Sequence, residues 1–275
     1  MPVMDGLTAL PLILKAKPNV QVLMSSTLTV KNAQVSLQAM SLGAADYVPK
    51  PTTNREVISS QTFQTEIIEK IKSLAAAKIK NNTPVVEQDV VTQKATILKI
   101  PTTVAASKIM PKIIGVGSST GGPQALLKFI NGIKNNLTLP VVITQHMPPS
   151  FTKILAGHLS KATELECFEA EDGMLLENGK VYIAPGDHHM LVSNEDGKRY
   201  LRLNQDQPEN FCRPAVDPMF RSLSEEFGPA VLGVILTGMG QDGLAGSKVI
   251  VDGGGTIIAQ DEATSVVWGM PRCGK

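Results

Sequence analysis

The chain has 275 residues, 43% of them hydrophobic and 19% charged, which is enough for one large core or two modest ones. Lys and Arg total 26 against 25 Asp and Glu, so the net charge of +1 argues against a broad electrostatic footprint for nucleic acid or anionic membrane. Cys167, Cys212 and Cys273 lie in no metal-ligand spacing, no apolar run approaches a membrane span, and the N-terminus lacks a basic leader, which together suit a reduced, cytoplasmic protein without membrane insertion.

In chain order, "LTALPLILKAK" has helical spacing and stops at Pro18, and "VQVLM" reads as a buried strand. In "VKNAQVSLQAMSLG", Ala33, Leu37 and Met40 share one helical face, with Gly43 as the stop; "DYV" is a further short strand. Asp5, in the turn after the opening residues, suits a helix cap. Alternating α and β elements imply a parallel sheet, though two strands cannot make a self-sufficient one. Residues 59–110 are rich in Lys, Gln, Thr and Asn and weakly periodic, so they read as an interdomain linker whose first part extends a helix through Ile67, Ile68 and Ile71.

From residue 111 the alternation resumes. "KIIGVG", "PVVITQ", "AVLGVILTG" and "TIIAQ" are strands; "GPQALLKFINGIK", "FTKILAGHLS", "DPMFRSLSEEF" and "GLAGSKVIVDGG" are helices. "GKVYIAPGDHHMLVSNEDGKRYLRLN" has the alternation and turn residues of antiparallel hairpins. The expected architecture is α/β: a doubly wound, mostly parallel, Rossmann-like sheet in 111–275 with a β-hairpin insertion, preceded by a smaller α/β segment in 1–58.

Ligands of an open parallel sheet bind beyond the carboxyl ends of its strands. Ser118 and Ser119 follow the first strand of the larger sheet, His146 follows the second, and Asp242 follows "AVLGVILTG" by a few residues. A serine hydroxyl needs a neighbouring base, an imidazole can take and return its proton, and a carboxylate fixes the imidazole tautomer. Gly117-x-Ser119-x-Gly121 matches the elbow that presents a nucleophilic serine, and the N–H of Thr120 would point at an oxyanion near the helix start.

Simpler readings compete at each position. The small-residue turn could be only a strand-to-helix corner, His146 a turn residue, and Asp242 a cap on the next helix, with Asp261 and Glu262 as rival acids. His158 reads as a surface or groove residue, and His188 and His189 are adjacent on a strand and point to opposite faces, which disfavours a metal site. No Lys follows the glycines, so a P-loop fits poorly. Gly115-x-Gly117-x-x-x-Gly121 loosely resembles a dinucleotide fingerprint, but the following strand ends Gln145-His146, without the acid a ribose needs. A dinucleotide-binding module therefore remains one alternative, and a catalytically inactive docking module another.

"IGVGSSTGGPQAL", "ITQHMPPSFT", "VYIAPGDHHM", "RPAVDPMF", "ILTGMGQDG" and "QDEATSVVWGMPR", in this order across 111–272, resemble successive blocks of the chemotaxis protein-glutamate methylesterase family. The resemblance implies hydrolysis of glutamate γ-methyl esters, and deamidation of selected glutamines, on cytoplasmic helices of chemoreceptors, with no metal or other cofactor. It carries Ser119 onto the nucleophile, His146 onto the base, Asp242 onto the orienting acid, and Met239 onto a residue whose N–H helps hold the oxyanion.

"MPVMDGL", "VQVLMSS" and "GAADYVPKP" are similar to the second half of a response-regulator receiver domain, with Ser25 on its switch hydroxyl and Lys50 on its lysine. That likeness implies a chemotaxis histidine kinase as phosphodonor, with phosphorylation relieving obstruction of the catalytic cleft. The Asp that would be phosphorylated is expected upstream of Met1, so no phosphorylation site is assigned, and the chain reads as an internal piece of a longer product.

Overall fold

The computed structural model describes residues 3–27, 29–50, 57–82 and 109–273. The N-terminal part runs α1 (Gly6–Ala16), β1 (Leu23–Thr27), α2 (Val30–Ser41), β2 (Asp46–Lys50) and α3 (Val57–Asn82). Asp5 caps α1 by accepting the Thr8 N–H at 2.8 Å, as expected of it. Strands β1 and β2 form a parallel pair in register from Leu23↔Asp46 to Thr27↔Lys50. The first strand therefore begins at Leu23 rather than Val20: its partner opens only at Asp46, so the polar "SST" is drawn into the ladder while Val20 and Gln21 precede it. Helix α3 occupies the first part of the expected linker, whereas 83–108 lie outside the described residues.

The C-terminal part runs β3 (Ile113–Ser118), α4 (Gly122–Ile133), β4 (Val141–Gln145), α5 (Pro149–Thr163), β5 (Cys167–Glu169), β6 (Val181–Ile183), β7 (His189–Glu195), β8 (Lys198–Asn204), α6 (Val216–Phe227), β9 (Val231–Ile235), α7 (Leu244–Asp252), β10 (Thr256–Ala259) and α8 (Met270–Cys273). Six of its strands form one parallel sheet in the order β10-β9-β3-β4-β6-β5, and β7 and β8 stand apart as an antiparallel hairpin. Only the second half of the expected hairpin region is thus a hairpin: "VYI" joins the main sheet as β6, paired with β4 and with the three-residue edge strand β5. Periodicity cannot identify strands so short, because three residues contain barely one alternation.

The sheet is covered on both faces, as a parallel sheet requires. Val116, Ile143, Leu126, Ile130, Phe151 and Leu155 build one core with α4 and α5. On the other face Ile113, Val142, Tyr182, Met219, Phe220 and Ile250 pack beneath α6, α7 and the hairpin. Gly115 and Gly117 lie on this second face, where a Cβ would stand 2.5 Å from Leu223 and 2.7 Å from Val216. Their bareness lets α6 settle directly on β3, so Gly117 serves helix packing as well as the turn that follows it.

The N-terminal part shares the α4/α5 core. Ala33, Leu37, Met40 and Tyr47 belong to the same cluster as Phe151 and Leu155, and the Tyr47 ring stacks on Phe151 at 4.4 Å between centroids. Gln124 at the start of α4 donates to the carbonyls of Met40 and Ala44, each at 2.6 Å. His158 lies in α5 and meets Ser41 at 3.2 Å.

Candidate active site

In the β3–β4 ladder Ser118 is paired with Gln145, so Ser119 and His146 leave adjacent strands side by side. Three bonds fix that relation. The His146 N–H donates to Ser118 O at 3.1 Å, and the Gln145 amide donates to Ser119 O at 3.0 Å and to His146 O at 3.2 Å. Ser118 is fully buried and donates its hydroxyl to Gln145 at 2.6 Å, while Ser119 retains partial exposure. Of the two hydroxyls, only Ser119 is presented.

The third strand end is tied in by Thr237. Its carbonyl accepts the Ser119 N–H at 3.0 Å, and its hydroxyl donates to Thr120 O at 3.0 Å. The chain approaches so closely there that a Cβ on Gly238 would stand 2.9 Å from the Ser119 Cβ. Gly121 begins α4 at φ +76°, a left-handed conformation that glycine adopts freely, and there is no side-chain cap at this helix start. Among the described residues the backbone N–H groups of Thr120 and Met239 meet no backbone acceptor, so both remain available as donors beside Ser119.

Asp242 is buried and receives five donors. His146 Nε2 lies 2.7 Å from its Oδ2, joined there by the Val216 N–H at 2.6 Å. Its Oδ1 accepts from the N–H groups of Asp217 and Gly243 and from Asn210 Nδ2, at 3.0–3.1 Å. Val216 and Asp217 open α6, a helix with no side-chain cap of its own. Asp242 is therefore a cap as well as a partner for histidine, but of α6, whose N-terminal amides and dipole favour its negative charge. Burial alone would raise its pKa; His146 and these amides outweigh that and hold it below the usual carboxylate value. The neighbouring Asp217 is pushed the other way, by burial first and by the nearby Asp242 charge.

Because Nε2 faces Asp242, the other ring nitrogen of His146 is left for a second partner. Cys212 Sγ lies 3.5 Å from Nδ1, and Ser119 Oγ makes no hydrogen bond to His146 in this arrangement. Burial disfavours the charged ring, yet Asp242 and Cys212 together raise its pKa to about 10.

Among the remaining expected residues, Asp261 stands exposed and closes its own turn through Thr264, so it is no rival orienting acid. His189 is buried with both nitrogens committed to backbone, Nδ1 to Ala215 N–H and Nε2 to Gln207 O. Ser25 and Lys50 sit on the separate two-stranded sheet, offset in register: Ser25 pairs with Val48 and Lys50 with Thr27. A cavity of about 260 Å³ lies beside Met239, lined by Ser73, Ala76, Gly240, Trp268 and Arg272, and does not include Ser119, His146 or Asp242.

Sequence reasoning missed Gln145, Thr237, Asn210 and Cys212. Gln145 and Thr237 lie inside recognisable strand-end strings, but Cys212 reaches His146 across 66 residues and Asn210 reaches Asp242 across 32, distances over which local pattern carries no signal.

Residues 114–273 match the family model described as CheB methylesterase. A protein-glutamate methylesterase/protein-glutamine glutaminase of Azospirillum brasilense is 47% identical over 284 residues, covering 98% of this chain and 72% of the relative. One of the same name from Paramagnetospirillum magneticum is 48% identical, covering 98% and 75%. Among solved structures, the CheB methylesterase catalytic domain of Thermotoga maritima superposes with a TM-score of 0.58 at 44% identity, over 60% of this chain and 88% of that one.

Proposed function

This chain belongs to the CheB methylesterase family and has its methylesterase function in chemotaxis, and from that premise we propose that Ser119, His146 and Asp242 carry the reaction. The substrates are chemoreceptor glutamate γ-methyl esters, with deamidation of selected glutamines as the second activity that the relatives' names describe.

The chemistry is acyl transfer in two stages. Asp242 keeps the Nε2 proton of His146 in place, which leaves the Nδ1 lone pair to accept the Ser119 proton. The freed oxygen attacks the γ-carbonyl, and the carbonyl oxygen gathers negative charge between the N–H groups of Thr120 and Met239, close to the positive end of α4. His146 returns its proton to the departing methoxide, and methanol leaves. A water molecule, deprotonated by the same nitrogen, then splits the acyl-enzyme into glutamate and free serine. For a glutamine substrate the leaving group is ammonia. No step calls for a metal or an organic cofactor.

The observation that carries this reading is the 2.7 Å contact from His146 to an Asp242 held by four further donors, on a strand end adjacent to that of Ser119. Stoichiometric phosphonylation by a serine-directed phosphonate, mapped to Ser119 and blocking methanol release from a methylated receptor fragment, is the expected result. Modification at another residue, with turnover lost alongside it, would assign the nucleophile elsewhere.

Residues 1–58 are read as the second half of a receiver domain that controls this site, with a histidine kinase as phosphodonor to the intact protein. The packing of Ala45, Leu23 and Leu74 against Met239, Val266 and Val267 supports that reading, since it sets the N-terminal part against a donor of the oxyanion site. No described helix is long and apolar enough to cross a membrane, and a cytoplasmic location follows from the receptor segments acted upon.

A further inference from the structure

Residues 205–214 form a connection whose members are almost all committed. Arg213 grips Asp187 through Nε and Nη2, at 3.0 and 2.6 Å, and reaches the carbonyls of Gln205 and Asp206. Glu209 is clamped by Arg221 and exchanges backbone bonds with Cys212 in both directions, closing a tight turn over Asn210 and Phe211. The two residues flanking Phe211 both point into the site: Asn210 donates to Asp242 at 3.1 Å, and the Cys212 sulfur lies 3.5 Å from His146 Nδ1.

Phe211 itself is used for nothing inside the molecule. It is fully solvent-exposed (104%), the only exposed aromatic among the described residues, and it sits at φ +64°, a conformation that bulky side chains rarely adopt. Exposure of a phenyl ring and a left-handed backbone both disfavour the folded chain, and no intramolecular contact offsets either. The backbone turn around it is nevertheless held by the paired Glu209–Cys212 bonds. A ring carried on such a turn suits a binding anchor, because its backbone has little conformational freedom left to lose on contact.

We propose that Phe211 is a specificity-determining anchor for the protein substrate, packing on an aliphatic side chain that lies about one helical turn from the target glutamate on the receptor helix. Its neighbours in the chain touch both the base and the orienting acid, so Phe211 stands at the rim of the reaction centre, its Cα about 3.8 Å from those of the two residues that make these contacts. An ester on a free amino acid presents nothing to this ring, whereas an ester on a helix brings its neighbours along. The inference rests on the methylesterase reading and adds to it the means of telling a receptor from a small ester.

The test compares wild type, Phe211→Ala and Phe211→Leu as full chains on two substrates, a methylated receptor cytoplasmic fragment and the γ-methyl ester of N-acetylglutamate amide. Binding of the receptor fragment to Ser119→Ala chains with and without Phe211→Ala is measured alongside. The expected result is a KM for the fragment raised about tenfold in Phe211→Ala, with kcat changed far less, and weaker binding to match, the scale for losing an aromatic hot spot. The ratio of kcat/KM between receptor and small ester should fall by the same factor, and Phe211→Leu should recover much of it. An unchanged ratio overturns the proposal, and so does an equal loss on both substrates, which would place the effect of Phe211 on His146 and Asp242. A wild-type dimer that dissociates in Phe211→Ala while receptor kinetics stay the same overturns it in favour of self-association. If wild type releases methanol from neither ester, the methylesterase reading itself falls, and this inference with it.

Discussion

The sheet of the N-terminal part pairs β1 with β2 alone, whereas that of the C-terminal part carries six strands, and both deliver polar side chains to a strand end. At the larger sheet the delivered groups converge: Ser119 and His146 leave paired positions, and Asp242 arrives from beyond β9 to meet the imidazole at 2.7 Å. At the smaller one Ser25 and Lys50 sit out of register with each other, and each is paired across the ladder with a residue that supplies no catalytic partner. The smaller sheet also lacks a core of its own size: Ala33, Leu37, Met40 and Tyr47 complete theirs with residues of α4 and α5. Strand-then-helix order brings reactive groups to one edge. Only cross-bracing, as by Thr237, Gln145 and the α6 amides, turns that edge into a site.

If this contrast holds, the largest effects on turnover arise at the larger sheet. Ser119→Ala should lower methanol release from a methylated receptor fragment by about 10⁴-fold or more, the scale seen when a triad nucleophile is removed. Its melting temperature should stay near wild type, because the side chain is small and half-exposed. Asp242→Asn comes next. It keeps the volume but reverses one donor towards the His146 ring and loses the charge facing the amides of Val216 and Asp217. A loss of about 10³–10⁴-fold in kcat is expected, as for a triad carboxylate turned into an amide. Unlike Ser119→Ala, it should also destabilise the fold, by about 1–2 kcal/mol, as the lost cap of α6. Turnover lost without any loss of stability would separate the two roles assigned to Asp242.

Changes in the N-terminal part should be read in stability first. Tyr47→Ala removes the ring stacked on Phe151 and beneath Lys70, in the shared core. A loss of about 3–5 kcal/mol is expected for so large a buried truncation, seen as a lower denaturant midpoint with both parts unfolding together. Two separated transitions would mean that the parts fold independently and that the core is not shared. Lys50→Ala, at an exposed strand end, should move neither stability nor basal turnover by more than about 0.5 kcal/mol.

How far these features were legible in the chain depends on the distance over which each is written. The βα alternation, the elbow and the three strand-end residues are local strings: the alternation predicts the parallel sheet that is found, and the strings mark Ser119, His146 and Asp242 as residues that follow its strands. The cap role of Asp242 was also foreseeable, but its target was not: the helix it caps begins at Val216, 26 residues earlier, and is brought beside it only by the fold. Strand β6 was misjudged because "VYI" abuts a real hairpin and is too short to show its own period. The commitment of Ser118 to Gln145 and the approach of Cys212 to His146 depend on packing alone, and the sequence holds no local trace of either.

A modest effect, read in pH and not in stability, concerns the one partner of His146 that no elbow or strand end announces. Burial disfavours the charged ring, while Asp242 and Cys212 favour it and raise its pKa to about 10. Such a ring stabilises the fold fully below its unfolded value, near ~6.5, and that contribution fades as pH climbs through the folded value. For turnover the consequence is opposite, because only the neutral ring accepts the serine proton, so kcat/KM should rise with pH across the neutral and alkaline range. Asp242 cannot be removed without losing the orientation of the ring, but Cys212 can. Cys212→Ala takes away one of the groups that hold the proton on the ring and vacates the neighbourhood of Nδ1, the nitrogen that Ser119 must reach. Its acid limb should therefore move to lower pH, by less than about one unit, with a rise of a fewfold in kcat/KM near pH 7.5. The pH dependence of methanol release by wild type and Cys212→Ala decides the point. A limb displaced to higher pH, or turnover lost altogether, would show that the sulfur supports the base instead of competing for it.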